Sequence, residues 1–294
     1  MKNFLVITCG GTIVCEASSD GLSPASSTQE LEQAFRELDG SFSFLALMNM
    51  DSSRMSSRQW REILCAVDQN KGRYDGIIIT HGTDTMAYTA CALALSLKNI
   101  PLPVVLTGSQ IPLGEEGSDA PDNLRLAVQC AASALKGVYI AFSGAVIDGR
   151  CASKVYSKNK VAFESINAPY VDLHTGSSVC GPYEMNLDFC EKVFLLKLFP
   201  GVESGVLELL ADAGYLGIVI EGYGLGGMPE AFCEKIAQMV KRGIRVWVTT
   251  QCLHDGSDYT VYEPGRKVLE AGAEDCGKRT AECAVVELMK KIAQ

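Results

Sequence analysis

No apolar run in the chain approaches the ~18 residues that a transmembrane helix requires. The segment after Lys2, Phe4 to Ile7, is too short for a secretory h-region and leads into glycines, so the expected compartment is the cytoplasm. Basic clusters are missing too. The 26 lysines and arginines are scattered among 35 acidic residues, for a net charge of −9, which disfavours nucleic acid and anionic membranes and leaves a small-molecule partner as the expectation. Metal signatures are as scarce. Three histidines occur, His81, His174 and His254, far apart and without H-E-x-x-H or C-x-x-C spacing, so no metal is expected. There is no internal repeat, no low-complexity tract and no G-x-x-x-x-G-K-[ST] phosphate loop.

What is present belongs to an ordinary globular protein. The 294 residues are 47% hydrophobic and 21% charged, enough for one large domain or two moderate ones and far from the composition of disorder. Twelve cysteines are spread through the chain. In a chain of this size without an export signal they read as reduced and mostly buried.

The first half alternates short β-branched runs with helical periods. Phe4 to Thr8, Phe42 to Met48, Gly76 to Thr80, Pro103 to Thr107 and Gly137 to Phe142 read as strands, several apolar throughout, as strands covered on both faces should be. Between them, Thr28 to Asp39 places Leu31, Ala34, Phe35 and Leu38 on one face behind a capping-box pair, Ser27 and Glu30. Arg58 to Asp68, Asp84 to Leu97 and Asp122 to Leu135 behave similarly. The alternation predicts an α/β fold, a doubly wound parallel sheet with right-handed crossovers. It predicts an N-terminal domain over residues 1–179, an aperiodic linker over 180–191 and a smaller α/β domain over 192–294. That second domain has strands in Lys192 to Gly201, Tyr215 to Gly224 and Gly243 to Gln251. Its helices are Val202 to Ala213, Pro229 to Lys241 and Ala281 to Ala293.

Small or polar residues follow each early strand: Gly10-Gly11-Thr12, Asp51-Ser52-Ser53, His81-Gly82-Thr83-Asp84 and Gly108-Ser109. In an open parallel sheet these fall at the carboxyl ends of strands, where such folds bind ligands. Gly10-Gly11-Thr12 by itself reads first as a strand-to-loop turn, and alternatively as a backbone that approaches a ligand and presents a hydroxyl. It is not a G-x-G-x-x-G fingerprint, so no nucleotide cofactor is expected. Asp84 reads either as a helix cap or as a carboxylate for a substrate ammonium group, with Thr83 supplying a hydroxyl. His81 reads as structural. Among Lys154, Lys158 and Lys160, spacing alone cannot distinguish a solvated face from one lysine that enters a crevice as a base.

Taken in order, "GGTI", "HGTDTMAYT", "TGSQIP" with "SDAPDNLRLA", "GRCASKV", "EGYG" and "TTQC" make the chain resemble the bacterial-type L-asparaginases, above all their cytosolic type I branch, over nearly its whole length. The resemblance implies hydrolysis of L-asparagine to L-aspartate and ammonia without metal or cofactor, in a homodimer or homotetramer. It implies Thr12 as nucleophile, and Thr83 as second catalytic threonine with Lys154 as its base partner and Asp84 completing the group. Ser52 and Ser53 match positions that bind the substrate's α-carboxylate, and Asp84 would also bind its α-amino group. Gly11 and Gly82 flank the same pocket, and Ser109 matches a position near the scissile amide.

One departure stands out. Many family members carry a tyrosine in the loop after GGTI, where this chain has Leu22. Tyr259 and Tyr262 are the candidate replacements, with ordinary packing as the alternative. Cys9, in place of a common threonine, reads as packing. The region around Cys252 is associated in the cytosolic branch with allosteric asparagine binding, which makes Cys252 a candidate regulatory position. Glutamine differs from asparagine by one methylene, worth only ~1–3 kcal/mol of discrimination, so side glutaminase activity stays open. The related tRNA-linked amidotransferase carries an extra N-terminal domain, for which no room is expected before Gly10. A non-catalytic amino-acid sensor on the same fold is the alternative of another class.

Overall fold

The structure, a computed structural model, describes residues 1–18, 21–24, 29–177 and 180–294, with only the backbone for 15–18 and 21–24. Ser27, and with it the expected capping box, lies outside the described residues, as does the Leu22 side chain. The chain divides into two compact units, Met1–Leu187 and Asp188–Gln294.

The first unit is built on a six-stranded sheet whose order across space is Ser41–Met50, Asn3–Gly10, Gly76–Thr80, Pro103–Thr107, Gly137–Phe142 and Ala145–Asp148. The first five are parallel and the last is an antiparallel edge strand. Alternation puts Phe4, Val6, Ile78 and Val105 on one face, where they pack with Leu31 and Phe35 of helix Gln29–Arg36 and Leu124 and Ala127 of helix Ala120–Ala132. Leu5, Ile7, Ile77 and Ile79 face the other way and are equally buried. Burial on both faces is why these strands are apolar throughout. Helix Met86–Ser96 is buried over most of its surface, so its sequence carries no polar stripe. Helix Ser57–Asn70 opens on a capping box between Ser56 and Gln59.

In strand-number terms the sheet order is 2-1-3-4-5-6. Chain direction across the sheet therefore reverses between Asn3–Gly10 and Gly76–Thr80, the switch point at which such folds open a crevice.

Two features were not legible in the strand and helix pattern. Ala152–Lys154 pairs antiparallel with Phe163–Ser165, with Lys154 opposite Phe163. Residues 180–187, read from sequence as the first part of a linker, are bonded into the first unit: Glu184–Met185 pairs with Leu97–Lys98, and the Tyr183 hydroxyl donates to Asp68 at 2.8 Å.

The second unit has a four-stranded parallel sheet in the order Val193–Lys197, Gly217–Gly222, Arg245–Thr250 and Glu274–Asp275. One face packs on helices Val206–Asp212, Ala231–Lys241 and Glu263–Glu270, and the other on Ala281–Ala293. Helix Glu263–Glu270 escaped the sequence reading because Pro264 and Gly265 in its first turn look like a breaker, although proline is well tolerated there.

The hairpin carrying Lys154 is anchored by Phe163, which is 3% exposed and meets the Phe142 ring edge-on at 5.1 Å between centroids. Phe163→Ala should cost about 3–5 kcal/mol in urea unfolding. A cost below about 1 kcal/mol, far under that range for a buried phenylalanine, would show that the hairpin is held by other contacts.

Candidate active site

At the switch point the first strand ends in Gly10 and Gly11, both with positive φ (89° and 90°). A side chain at Gly11 would be strained, and its Cβ would lie 2.5 Å from the Gly82 backbone nitrogen. A Cβ on Gly82 would in turn lie 2.5 Å from the Ser52 hydroxyl oxygen. Three strand-end turns therefore converge at a spacing that only glycine permits. Around them opens a cleft of about 300 Å³ whose walls include Thr12, Ser52, Thr83, Asp84, Gln110 and Lys154.

Each group is held by local structure. Thr12 begins a single 3-10 turn, Thr12–Val14. Asp51 caps the next such turn, Ser52–Arg54, accepting from the Ser53 N–H at 2.8 Å. Thr83 and Asp84 lie in a 3-10 turn that runs into helix Met86–Ser96. The Thr85 hydroxyl donates to the Ser52 carbonyl at 2.8 Å, joining two of the turns.

Lys154 settles the choice among the three lysines. Its Nζ donates to the Thr83 hydroxyl oxygen at 2.8 Å and to the Asp84 carboxylate at 2.6 Å, across 71 and 70 residues of sequence. The Lys160 ammonium instead donates to the Gly117 carbonyl at 2.6 Å. The Asp84 side chain is 67% exposed, and a pair so open to solvent adds little to stability. Its value lies in geometry, a hydroxyl and a carboxylate on one nitrogen.

Behind this cluster lies a buried relay. His81 is wholly buried, with Nδ1 2.7 Å from the Gly82 carbonyl and Nε2 3.0 Å from the Thr89 hydroxyl, which accepts from Trp60 Nε1 at 3.0 Å. A carbonyl can only accept, so Nδ1 carries the hydrogen and Nε2 accepts from Thr89. Burial lowers the His81 pKa from 6.5 to about 4, keeping the ring neutral. Its structural reading is therefore correct in kind, yet it grips the carbonyl of the peptide whose N–H belongs to Thr83.

A second buttress is Asp119, 6% exposed. It accepts from the backbone N–H groups of Gln110 and Ile111 and from the Asn123 amide, each at 3.0 Å. Asn123 also donates to the Gly108 carbonyl at 3.0 Å. The segment "SDAPDN" is thus the clamp on "TGSQIP", a link invisible in either stretch alone.

Several expected site residues fall elsewhere. Ser109 is 1% exposed and its hydroxyl donates to the Ile111 carbonyl at 2.6 Å. Its neighbour Gln110 lines the cleft instead, and the sequence reading passed over it. Ser53 is exposed and outside the cleft wall, whereas Ser52 and Asp51 are part of it. Tyr259 is 1% exposed in the core of the second unit, its hydroxyl donating to the Thr249 carbonyl at 3.1 Å. Burial pushes that phenol well above its ordinary pKa, so Tyr259 is a packing residue and not an activator. Tyr262 is 64% exposed at the start of helix Glu263–Glu270. Cys252 is exposed just beyond the strand Arg245–Thr250, its N–H bonded to the Thr250 hydroxyl at 3.0 Å. Cys9 is 1% exposed and burial holds its thiol up at about 12, as a packing residue's should be. Among the described residues no cluster of metal-ligating side chains occurs and no helix is long and apolar enough to cross a membrane.

The chain is thus a two-unit α/β protein, a doubly wound unit with a hydroxyl–lysine–carboxylate cluster at its switch point and a smaller α/β unit after it. Residues 3–183 match the sequence model of the asparaginase N-terminal domain, and 192–294 that of the glutaminase/asparaginase C-terminal domain. An L-asparaginase of Thermococcus kodakarensis is 38% identical over 97% of this chain and 91% of its own length. A component of the glutamyl-tRNA(Gln) amidotransferase of Pyrococcus abyssi is 34% identical over 97% of this chain and 70% of its own. Among solved structures, the thermostable L-asparaginase from T. kodakarensis superposes with a TM-score of 0.92 at 37% identity, covering 99% of this chain and 93% of that one. L-asparaginase I from Vibrio cholerae gives 0.89 at 27% identity, over 100% and 93%. The chain belongs to the asparaginase family, and with it to the amide hydrolases.

The buried histidine makes a pH prediction. Its folded pKa lies below its unfolded one, so its contribution is complete above pH 6.5 and is lost as pH falls toward 4, where the unfolded chain binds the extra proton. Between pH 7 and pH 4 the wild type should lose about 3 kcal/mol more stability than His81→Gln. Parallel urea-unfolding curves for the two proteins across that range would contradict this.

Proposed function

We propose that the cleft hydrolyses L-asparagine to L-aspartate and ammonia, with Thr12 as the nucleophile. The observation that carries this reading is the contact of Lys154 with both Thr83 and Asp84 beside Thr12 in one cleft. An amide demands a nucleophile, a route for its proton to the leaving nitrogen and donors for the developing oxyanion. The Thr12 oxygen adds to the side-chain carboxamide carbon, and backbone N–H groups near Thr83 receive the charge on the carbonyl oxygen. Collapse breaks the C–N bond, ammonia departs with the added proton, and the resulting ester is cleaved by water, which restores the Thr12 hydroxyl. Thr83 and Lys154 carry protons in these steps. A β-branched nucleophile suits the role because its hydroxyl has few rotamers from which to attack.

The zwitterionic end of the substrate has complementary partners. Ser52, through its hydroxyl, receives the α-carboxylate, and the exposed Asp84 carboxylate takes the α-ammonium. This uses Asp84 twice, once for Lys154 and once for substrate, and a carboxylate has the acceptor sites to do both. Glutamine is a second substrate to be tested, since a single methylene is discriminated only weakly.

Purified protein should release ammonia from millimolar L-asparagine, and Thr12→Ala and Lys154→Met should each lower kcat by about a thousandfold or more, because the residues act as a unit. Wild-type protein that binds L-aspartate in calorimetry yet releases no ammonia would overturn the reading in favour of a sensor.

A further inference from the structure

Gln110 has no assigned part in the site, yet it is the only described side chain whose amide bridges Thr83 to the loop that follows Lys154. The bridge fixes its own orientation. Gln110 Nε2 lies 3.3 Å from the Ser157 carbonyl oxygen and 3.1 Å from that of Asn159, and both can only accept. The opposite end is therefore the carbonyl oxygen, and it accepts from the Thr83 hydroxyl at 3.2 Å.

A proton count at Thr83 gives this contact its meaning. The Thr83 oxygen accepts from Lys154 at 2.8 Å, so its single proton must point elsewhere, and Gln110 Oε1 receives it. The hydroxyl is thereby held with a lone pair toward the lysine. The same amide ties down residues 157–159, three to five positions beyond Lys154, so one side chain sets both the rotor of the hydroxyl and the position of the hairpin that delivers its partner. The backbone beneath Gln110 is fixed by the buried Asp119 carboxylate. Its side chain thus reaches the cleft from a rigid base.

Building on the amidohydrolase reading, we propose that Gln110 is a positioning residue for catalysis, a clasp that holds the Thr83 hydroxyl and the Lys154 hairpin in register. It makes no use of the substrate's α-carboxylate or α-ammonium, which have other partners, so its loss acts on turnover and not on substrate capture. Errors of about an ångström at reacting groups cost up to about a hundredfold in rate, and loosening a clasp should cost part of that.

The test compares wild type with Gln110→Met, similar in length and without the amide, and with Gln110→Asn, which keeps the amide but is one methylene too short to span both contacts. For each, kcat and KM are measured with L-asparagine, the Kd of L-aspartate by calorimetry and the thermal midpoint by calorimetric scan. The expected result is that kcat falls about tenfold in both variants, with KM and Kd within twofold and the thermal midpoint within a few degrees of wild type. Retention of more than half the wild-type kcat in Gln110→Met would overturn the proposal. So would losses of kcat, KM and thermal midpoint together, since they would mark general loosening. Active wild type with normal variants removes this inference alone, whereas inactive wild type removes the amidohydrolase reading and this inference with it.

Discussion

The site depends on one steric constraint, the approach of the Gly11 and Gly82 backbones at the point where the sheet's strand order reverses. No atom larger than hydrogen fits on either Cα, because a methyl at Gly11 would meet the Gly82 nitrogen at 2.5 Å and one at Gly82 the Ser52 hydroxyl oxygen at the same distance. The topology creates the opening and the glycines let the strand ends close on it. Thr12 and Thr83 are thereby carried to the same cleft by neighbouring parallel strands, although 71 residues separate them in sequence. The hairpin Ala152–Lys154 then needs only to present one lysine over the second threonine.

Sequence legibility followed physical range. Strands at Gly76–Thr80, Pro103–Thr107 and Gly137–Phe142 were legible to the residue because burial on both faces leaves an unbroken apolar run. Helix ends were less so: Val206–Asp212 begins four residues inside the expected Val202, after a stretch of consecutive tight turns at 199–206. Thr12, Thr83, Asp84 and Lys154 were reached through motifs whose order matched a family, and the geometry brings all four to one cleft. Composition alone would have left Lys154, Lys158 and Lys160 equivalent.

The misplacements share a cause. Ser109 and Gln110 are adjacent, and which of them faces the cleft depends on the backbone path of a loop, set by Asp119 nine residues away. Ser52 and Ser53 likewise follow each other in one 3-10 turn, which points the first inward and the second outward. A loop has no period from which alternation can be read, unlike a strand or helix. Tyr259 is a candidate in the sequence because a phenol is lacking near Leu22 and its own segment matches one that approaches an active site in the family, and residue type says nothing of burial. Its hydroxyl is committed to the Thr249 carbonyl within another core.

Polar groups in the first unit fall into two populations with different energetics. Lys154 and Asp84 meet at the cleft mouth, where solvent screens their attraction and the pair contributes little to folding. His81, Thr89, Trp60, Asp119 and Asn123 are buried, and a partner left unsatisfied among them costs about 1–3 kcal/mol. The fold therefore places its expensive hydrogen bonds one layer behind the chemistry, on the carbonyl of Gly82 and the N–H of Gln110. The backbone under Thr83 and Gln110 is thereby fixed from below, and the contacts made within the cleft act on side chains and on the Lys154 hairpin that reaches over it.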